Sequence, residues 1–333
     1  MTDIAQLTQL GPRVRTLRAL GIDTIEHFVA ATQVAGPELA RLLGGNLDAL
    51  VAPAMAMAQA MSAEVETELV ALPCSLGART DDITPITETV PALALDIPVG
   101  ACGPPLITPA IPIRNQQFRG TCVAHSVVAA LEYWLDSSGS YQDMSEQFLY
   151  WNCKNNDGAP TQPGTWIRVA APLVQRDGVC PEGIWPYNPN PIPGNEAQNP
   201  VPMGAQRQAL PYRVPVVTAL PATSISDYKT ALASQRWVPF SIPVYNSWYQ
   251  SSQVRLTGDI TNPIPGETRV GGHAMCIVGC IDQPERPELG GGRFILRNSW
   301  GTGWGQTSPY GSGYGTIPYI YIQRFGMEAY TLG

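Results

Sequence analysis

Apolar residues recur at helical spacing over residues 1–62 and lose that period beyond. Val14, Leu17 and Leu20 form one set, Ile25, Phe28 and Val29 a second, and Leu39, Leu42 and Leu43 a third. Gly21, Gly36 and Gly44–Gly45 separate these segments, and Asp23 or Thr24 is suited to cap the second helix. The pattern predicts a compact bundle of four or five short helices ending near Met61. Residues 63–110 are rich in Pro, Thr and Ala, which predicts an extended connector. Loops beyond about 12–15 residues are uncommon as idle linkers, so this one is expected to run across a neighbouring domain. From Asn115 onward TCVAHSVVAALEYWLDS reads as a strongly apolar helix beginning at Thr121. MSEQFLYWNC and TWIRVAAPLVQRDG read as two more helices. Past about residue 210 the runs YRVPVV, WVPFSIPVY, HAMCIVGCID, RFILRNSW and YGTIPYIYI read as strands. Helices first and strands second predict an α+β domain over 111–333.

Composition narrows the classes. With 44% hydrophobic and 14% charged residues the chain supports a globular core. A net charge of −7 disfavours non-specific attraction to nucleic acid or an anionic membrane. No signal peptide and no apolar run near the roughly 18 residues of a membrane span is visible. Seven cysteines, an odd number at irregular spacing, do not suggest a disulfide framework, so a reducing, cytoplasmic setting is expected, with non-classical secretion left open. No motif asks for a metal or cofactor.

The segment LRALGIDTIEHF resembles the turn of helix-hairpin-helix modules, some of which grip a DNA backbone. Here Arg13, Arg15, Arg18 and Arg41 are offset by Asp3, Asp23, Glu26, Glu38 and Asp48. Phosphate binding needs concentrated positive charge, so a packing or protein-contact role is expected.

The candidate chemistry begins at Gln116-Gln117-Phe118-Arg119-Gly120-Thr121-Cys122. Cys122 falls in the first turn of a helix, where free amides and the helix dipole favour a thiolate, the nucleophilic form. A thiolate needs an imidazole partner, and the chain has three histidines: His27, His125 and His273. His273 follows Gly271-Gly272, glycines that let backbone and substrate approach, and precedes an apolar strand. His125 lies one turn beyond Cys122 and is expected to pack beneath the site. His27 belongs to the helical module. Asn298, in Arg297-Asn298-Ser299-Trp300-Gly301, offers an amide oxygen to fix the useful imidazole tautomer, with Trp300 as a shield from water. Cys276 and Cys280 alternate with apolar residues and read as buried packing on one strand face.

Taken in order, QQFRGTC–VAHS, MSEQ, GVCPEGIWPY, GGHAMCIVG and RNSWGTGWG resemble the papain (C1) family of cysteine peptidases, its bacterial branch in particular. The resemblance covers about residues 100–333. It implies a helical left lobe carrying Cys122, a β-barrel-like right lobe carrying His273 and Asn298, and a substrate cleft between them. It further implies that Gln116, rather than Gln117, serves the oxyanion hole with the Cys122 amide. Gly164, beside Thr165, would pair its backbone with substrate, and Trp166 would wall the pocket for the residue two before the cut. The departures are definite. The family signature is roughly C-G-[SA]-C-[WY], whereas Arg119 and Val123 stand at its ends here, which removes the usual left-lobe disulfide. Whether Cys153 and Cys180 pair is open. His273 and Asn298 follow the cysteine by 151 and 176 residues, against roughly 130–150 in the family, consistent with insertions such as Gln283–Gly292.

Family members are generally made as proenzymes. The leader here lacks the spaced Glu-Arg-Phe-Asn pattern, yet a free thiolate peptidase needs restraint. Residues 1–62 are therefore expected to dock on the catalytic unit while part of 63–110 occludes the cleft. The expected activity is cysteine endopeptidase acting on protein or peptide substrates. Peptide ligation or deamidation at the same Cys-His-Asn site, and a non-catalytic binding role, are the alternatives.

Overall fold

The computed structural model describes residues 1–45, 47–62, 75–80 and 102–333. The expectations for 63–74 and 81–101 therefore lie outside the described residues. In the amino-terminal module, two short 3-10 turns lead into α1 (Arg13–Ala19), α2 (Ile25–Leu43) and α3 (Asp48–Ser62). Thr24, not Asp23, caps α2, its side chain accepting from the His27 amide. Gly44 ends α2 in the left-handed region. Two helical segments meet within α2 beside Gly36, as the sequence suggested. The chain kinks at Ala35, immediately before Gly36-Pro37, and the helix resumes.

The module's core of Ile4, Leu17, Ile25, Phe28 and Leu39 also takes in Ile264 from the following domain. At the helix-hairpin-helix-like turn, the carbonyls of Ala19 and Leu20 accept from the Asn262 side chain (3.0 Å) and amide (2.7 Å). Arg286 pairs with Asp23 at 2.8 Å across the same seam. The turn thus spends its polar groups on protein.

The next three helices are α4 (Cys122–Ser137), α5 (Glu146–Asn156) and α6 (Ile167–Arg176). The strands are β1 (Val217–Leu220), β2 (Val238–Tyr245), β3 (Arg269–Asp282), β4 (Gly292–Arg297), β5 (Tyr314–Pro318) and β6 (Glu328–Leu332). They form an antiparallel sheet in the order β1-β6-β2-β3-β4-β5. The sheet is mixed with helices as expected, but it is open rather than closed like a barrel. The outer edge of β5 is taken by a loop: Ile260 donates to the Thr316 carbonyl (2.9 Å) and Thr316 donates to Gly258 (3.0 Å). With those groups engaged, β1 has no edge to close on.

Strand β3 divides the two cores. Ala274, Cys276 and Val278 face α4, while Met275 and Ile277 face Phe240, Phe294 and Trp300 on the other side. A register shift between Ile277 and Gly279 then reverses the alternation. Cys276 and Cys280 consequently lie on opposite faces, correcting the reading of both as packing on one face. Cys276 donates to the Ser126 carbonyl, whereas Cys280 forms a disulfide with Cys102. The irregular cysteine spacing gave no sign of that bond. Cys153 and Cys180 are buried and free, so they do not pair.

From Cys102 the chain crosses the sheet as a strap. Leu106 donates to Val278 (2.7 Å), Trp237 Nε1 donates to Leu106 (2.8 Å), Arg297 donates to the Pro112 carbonyl, and Gly301 donates to Arg114 (2.9 Å). The strap ends by pairing Gln116 N with Ser299 O at 2.9 Å. Residues 111–117 are thereby fixed to the β-rich half although they precede α4. No helix among the described residues is long and apolar enough to cross a membrane.

Candidate active site

Cys122 opens α4 after Thr121 and is fully buried. The backbone amides of Ala274, Gly77, Val123 and Ala78 are directed at its sulfur. The Ala274 amide brings the thiol against β3 one residue beyond His273, across the seam between the halves. His273 Nε2 is 2.8 Å from Asn298 Oδ1, leaving Nδ1 buried without a hydrogen-bond partner. The Trp300 ring stacks on the imidazole at 4.4 Å and 27°. Asn298 is steadied by its amide bond to the Gly313 carbonyl (3.0 Å).

Gln116 is completely buried. Its Oε1 accepts from Ser299 Oγ at 2.7 Å, which turns Nε2 inward to donate to the carbonyls of Arg119 (2.9 Å) and Ser75 (3.0 Å). Gln117, the rival glutamine, has a left-handed backbone (φ 51) and its amide is held by Asn115. Ser299 and Tyr187, whose hydroxyl donates to the Gln116 carbonyl at 2.9 Å, were not singled out from sequence. Ser299 lies within a motif whose Asn and Trp drew the attention. Tyr187 closes the block GVCPEGIWPY, where it drew no role of its own.

Residues 75–80 occupy the groove between the halves. Ser75 O also accepts from Trp300 Nε1 at 3.3 Å, and Ser75 N donates to Gln117 O. Gly77 and Ala78 both donate to Gly272 O at 3.2 Å. Thr165 N donates to Gly77 O and Arg79 N donates to Thr165 O, each at 3.0 Å, so Ala78 bridges Thr165 in parallel. The fit is tight: a Cβ on Gly77 would stand 1.9 Å from the Gly120 carbonyl oxygen. Arg79 extends over the Trp166 ring at 4.2 Å.

This edge corrects one expectation. Gly164 lines the groove, but its own peptide groups turn inward, the amide to Tyr150 Oη and the carbonyl to Lys154 Nζ, both at 2.9 Å. Thr165 presents the pairing groups instead. Lys154 is itself buried and paired with Asp157 at 2.7 Å. Arg119, standing where the family signature has cysteine, is buried and donates to Gln147 Oε1 (2.6 Å) and to the carbonyls of Asn188 and Glu196 (2.9 Å each). Those bonds tie the cleft wall together in place of a disulfide.

Burial governs the site's protonation. It pushes the Cys122 thiol up to about 11 against the opposing pull of the four amides. It lowers the His273 imidazole to about 4, despite the Asn298 bond. His125 is lowered further, to about 3, by burial, with Nδ1 on the Thr121 carbonyl and its ring edge-on to Tyr187. It packs beneath Cys122. Among the described residues no grouping of three or more His, Cys, Asp or Glu side chains is arranged to hold a metal ion.

Comparison with known proteins gives the family. Residues 108–318 match the model of the papain family cysteine proteases. An uncharacterized peptidase C1-like protein of Acanthamoeba polyphaga mimivirus is 27% identical over 216 residues, covering 62% of this chain and 64% of the viral protein. The crystal structure of xylellain, a cysteine protease from Xylella fastidiosa, superposes with a TM-score of 0.62 at 26% identity, covering 77% of this chain and 95% of that one.

Proposed function

Because the chain belongs to the papain family of cysteine proteases, we propose that it hydrolyses peptide bonds through a Cys122 acyl-enzyme and is held latent by its own residues 75–80. The observation that carries this reading is the Gln116 amide, which already grips the Ser75 peptide carbonyl. In the open enzyme, His273 Nδ1 takes the Cys122 proton and the thiolate adds to the scissile carbonyl carbon. Gln116 Nε2 and the Cys122 amide hold the oxyanion. The imidazolium then protonates the leaving amine, and a water, deprotonated by the same ring, releases the acid from the thioester. Asn298 keeps Nε2 engaged, which leaves Nδ1 for the proton transfer.

Latency rests on what the leader presents. The sulfur faces the amides of Gly77 and Ala78, while the carbonyl held by Gln116 belongs to Ser75, two residues away. What residues 75–80 present to the sulfur is amide N–H. The test is Gly77→Val in the full chain, since the added side chain collides with Gly120 and expels the leader without altering the catalytic half. Cleavage of small fluorogenic peptides and labelling by a cysteine-directed epoxide should both rise, and Cys122→Ala should abolish both. A Gly77→Val enzyme no faster than the intact chain defeats the latency reading. Absence of cleavage despite labelling defeats the peptidase reading. Product masses with and without an added amine separate hydrolysis from acyl transfer.

A further inference from the structure

The leader reports which side chain the cleft wall accepts, because it uses the same backbone edge that an extended substrate needs. Arg79 is fixed at both ends: its amide donates to Thr165 O at 3.0 Å and its guanidinium lies 4.2 Å from the Trp166 ring centroid. A cation over an indole face is attracted by the ring's quadrupole, and tryptophan is the strongest of the aromatic partners. A second guanidinium, Arg168, lies 4.6 Å from the same ring. Its charge is matched by Glu328, 2.9 Å away and only 11% exposed, which also accepts from the Ile167 amide at 2.7 Å. The shelf therefore tolerates an incoming positive charge beside a neutralised one. Resting on the peptidase reading above, we propose that Trp166 is a specificity-determining residue that selects substrates carrying a basic side chain, arginine or lysine, at the position whose amide donates to the Thr165 carbonyl.

The preference is modest in size because the shelf is partly exposed, and cation–π attraction in such settings is worth about three- to five-fold in kcat/KM. The experiment uses the full-length Gly77→Val enzyme and fluorogenic peptides with an alanine background. Arg, Lys, Gln, norleucine, Phe or Glu is placed in turn at each of the three positions before the cut. Arg and Lys should exceed the uncharged side chains by that factor at one position, and Trp166→Leu should erase the preference there. The absence of any position at which Arg and Lys outrun Phe and norleucine, or a basic preference that survives Trp166→Leu, overturns the assignment.

A second arm needs no turnover. The hexapeptide Ser-Leu-Gly-Ala-Arg-Thr, matching residues 75–80, should protect Cys122 of Gly77→Val from iodoacetamide at about three- to five-fold lower concentration than the same peptide with Gln for Arg. That difference should vanish in Trp166→Leu. Protection with the expected difference but no cleavage of any peptide would sink the peptidase reading and leave the shelf standing. Cleavage with equal protection by both hexapeptides would do the reverse.

Discussion

The side-chain amide of Gln116 donates to the carbonyl oxygen of Ser75 at 3.0 Å, so the group suited to an oxyanion is occupied by the chain's own leader. On the proposed reading one residue would serve two opposed ends, holding the leader when the cleft is covered and the transition state when it is open.

Gln116→Ala should separate those ends. In the Gly77→Val background, where the leader is already displaced, loss of one oxyanion donor is expected to lower kcat by about 10²–10³ with little change in KM. In the otherwise intact chain the same substitution also removes a leader contact, so epoxide labelling of Cys122 should rise even as turnover falls. Equal kcat for Gly77→Val with and without Gln116→Ala would remove this side chain from the reaction.

The covered site should have a characteristic pH response. Burial holds the Cys122 thiol protonated up to about 11 and the His273 imidazole unprotonated down to about 4, so both are neutral between those limits. Alkylation by iodoacetamide should then be slow at neutral pH and climb only toward strongly alkaline conditions. In Gly77→Val water returns to both groups, the imidazolium becomes easier to form and the thiolate easier to keep. The alkylation rate should rise at neutral pH and its inflection should move to lower pH. Superimposable profiles for the two proteins would mean that the leader does not set the thiol's protonation.

The approach of His273 to Asn298 was legible in the sequence because each sits in a short glycine-bounded block whose spacing carries the chemistry locally. Other features were not legible, for particular reasons. The alternation in MCIVGCID counts Cys276 and Cys280 onto one face, and only the bulge at Val278–Gly279, set by pairing with β4, turns Cys280 toward Cys102. A barrel-like lobe was expected from the family resemblance, but the Gly258–Ile260 loop that occupies β5 has no periodic signal. Thr165 rather than Gly164 forms the edge because Tyr150 and Lys154, from a distant helix, draw the glycine's peptide groups inward. The stretch 75–80 reads as ordinary connector, since its role lies in backbone groups that every residue carries.

Lys154 supports that edge from beneath, its ammonium bridging Asp157 and the Gly164 carbonyl with both charged side chains fully buried. Lys154→Met leaves the Asp157 carboxylate buried and unpaired, which is expected to cost about 3–5 kcal/mol in urea unfolding. Adding Asp157→Asn should restore part of that loss, because the stranded charge is then gone. No recovery in the double variant would locate the cost in the lost bond to Gly164 instead.

The Cys102–Cys280 bond closes a loop of 178 residues and anchors the strap at its start. Constraining the unfolded chain over such a loop is expected to stabilise by about 2–4 kcal/mol. Replacing both cysteines by serine should lower unfolding stability by that amount, and reductant should lower the native protein to the same level. Turnover is a separate matter. Between Cys102 and Gln116 the strap is also held by Leu106 on Val278, Pro112 on Arg297 and Arg114 on Gly301. Those bonds keep Gln116 in register without the disulfide, so kcat of the serine variant in the Gly77→Val background should match that of Gly77→Val alone. A collapse of kcat at temperatures where the variant remains folded would instead make the bond part of the device that positions Gln116.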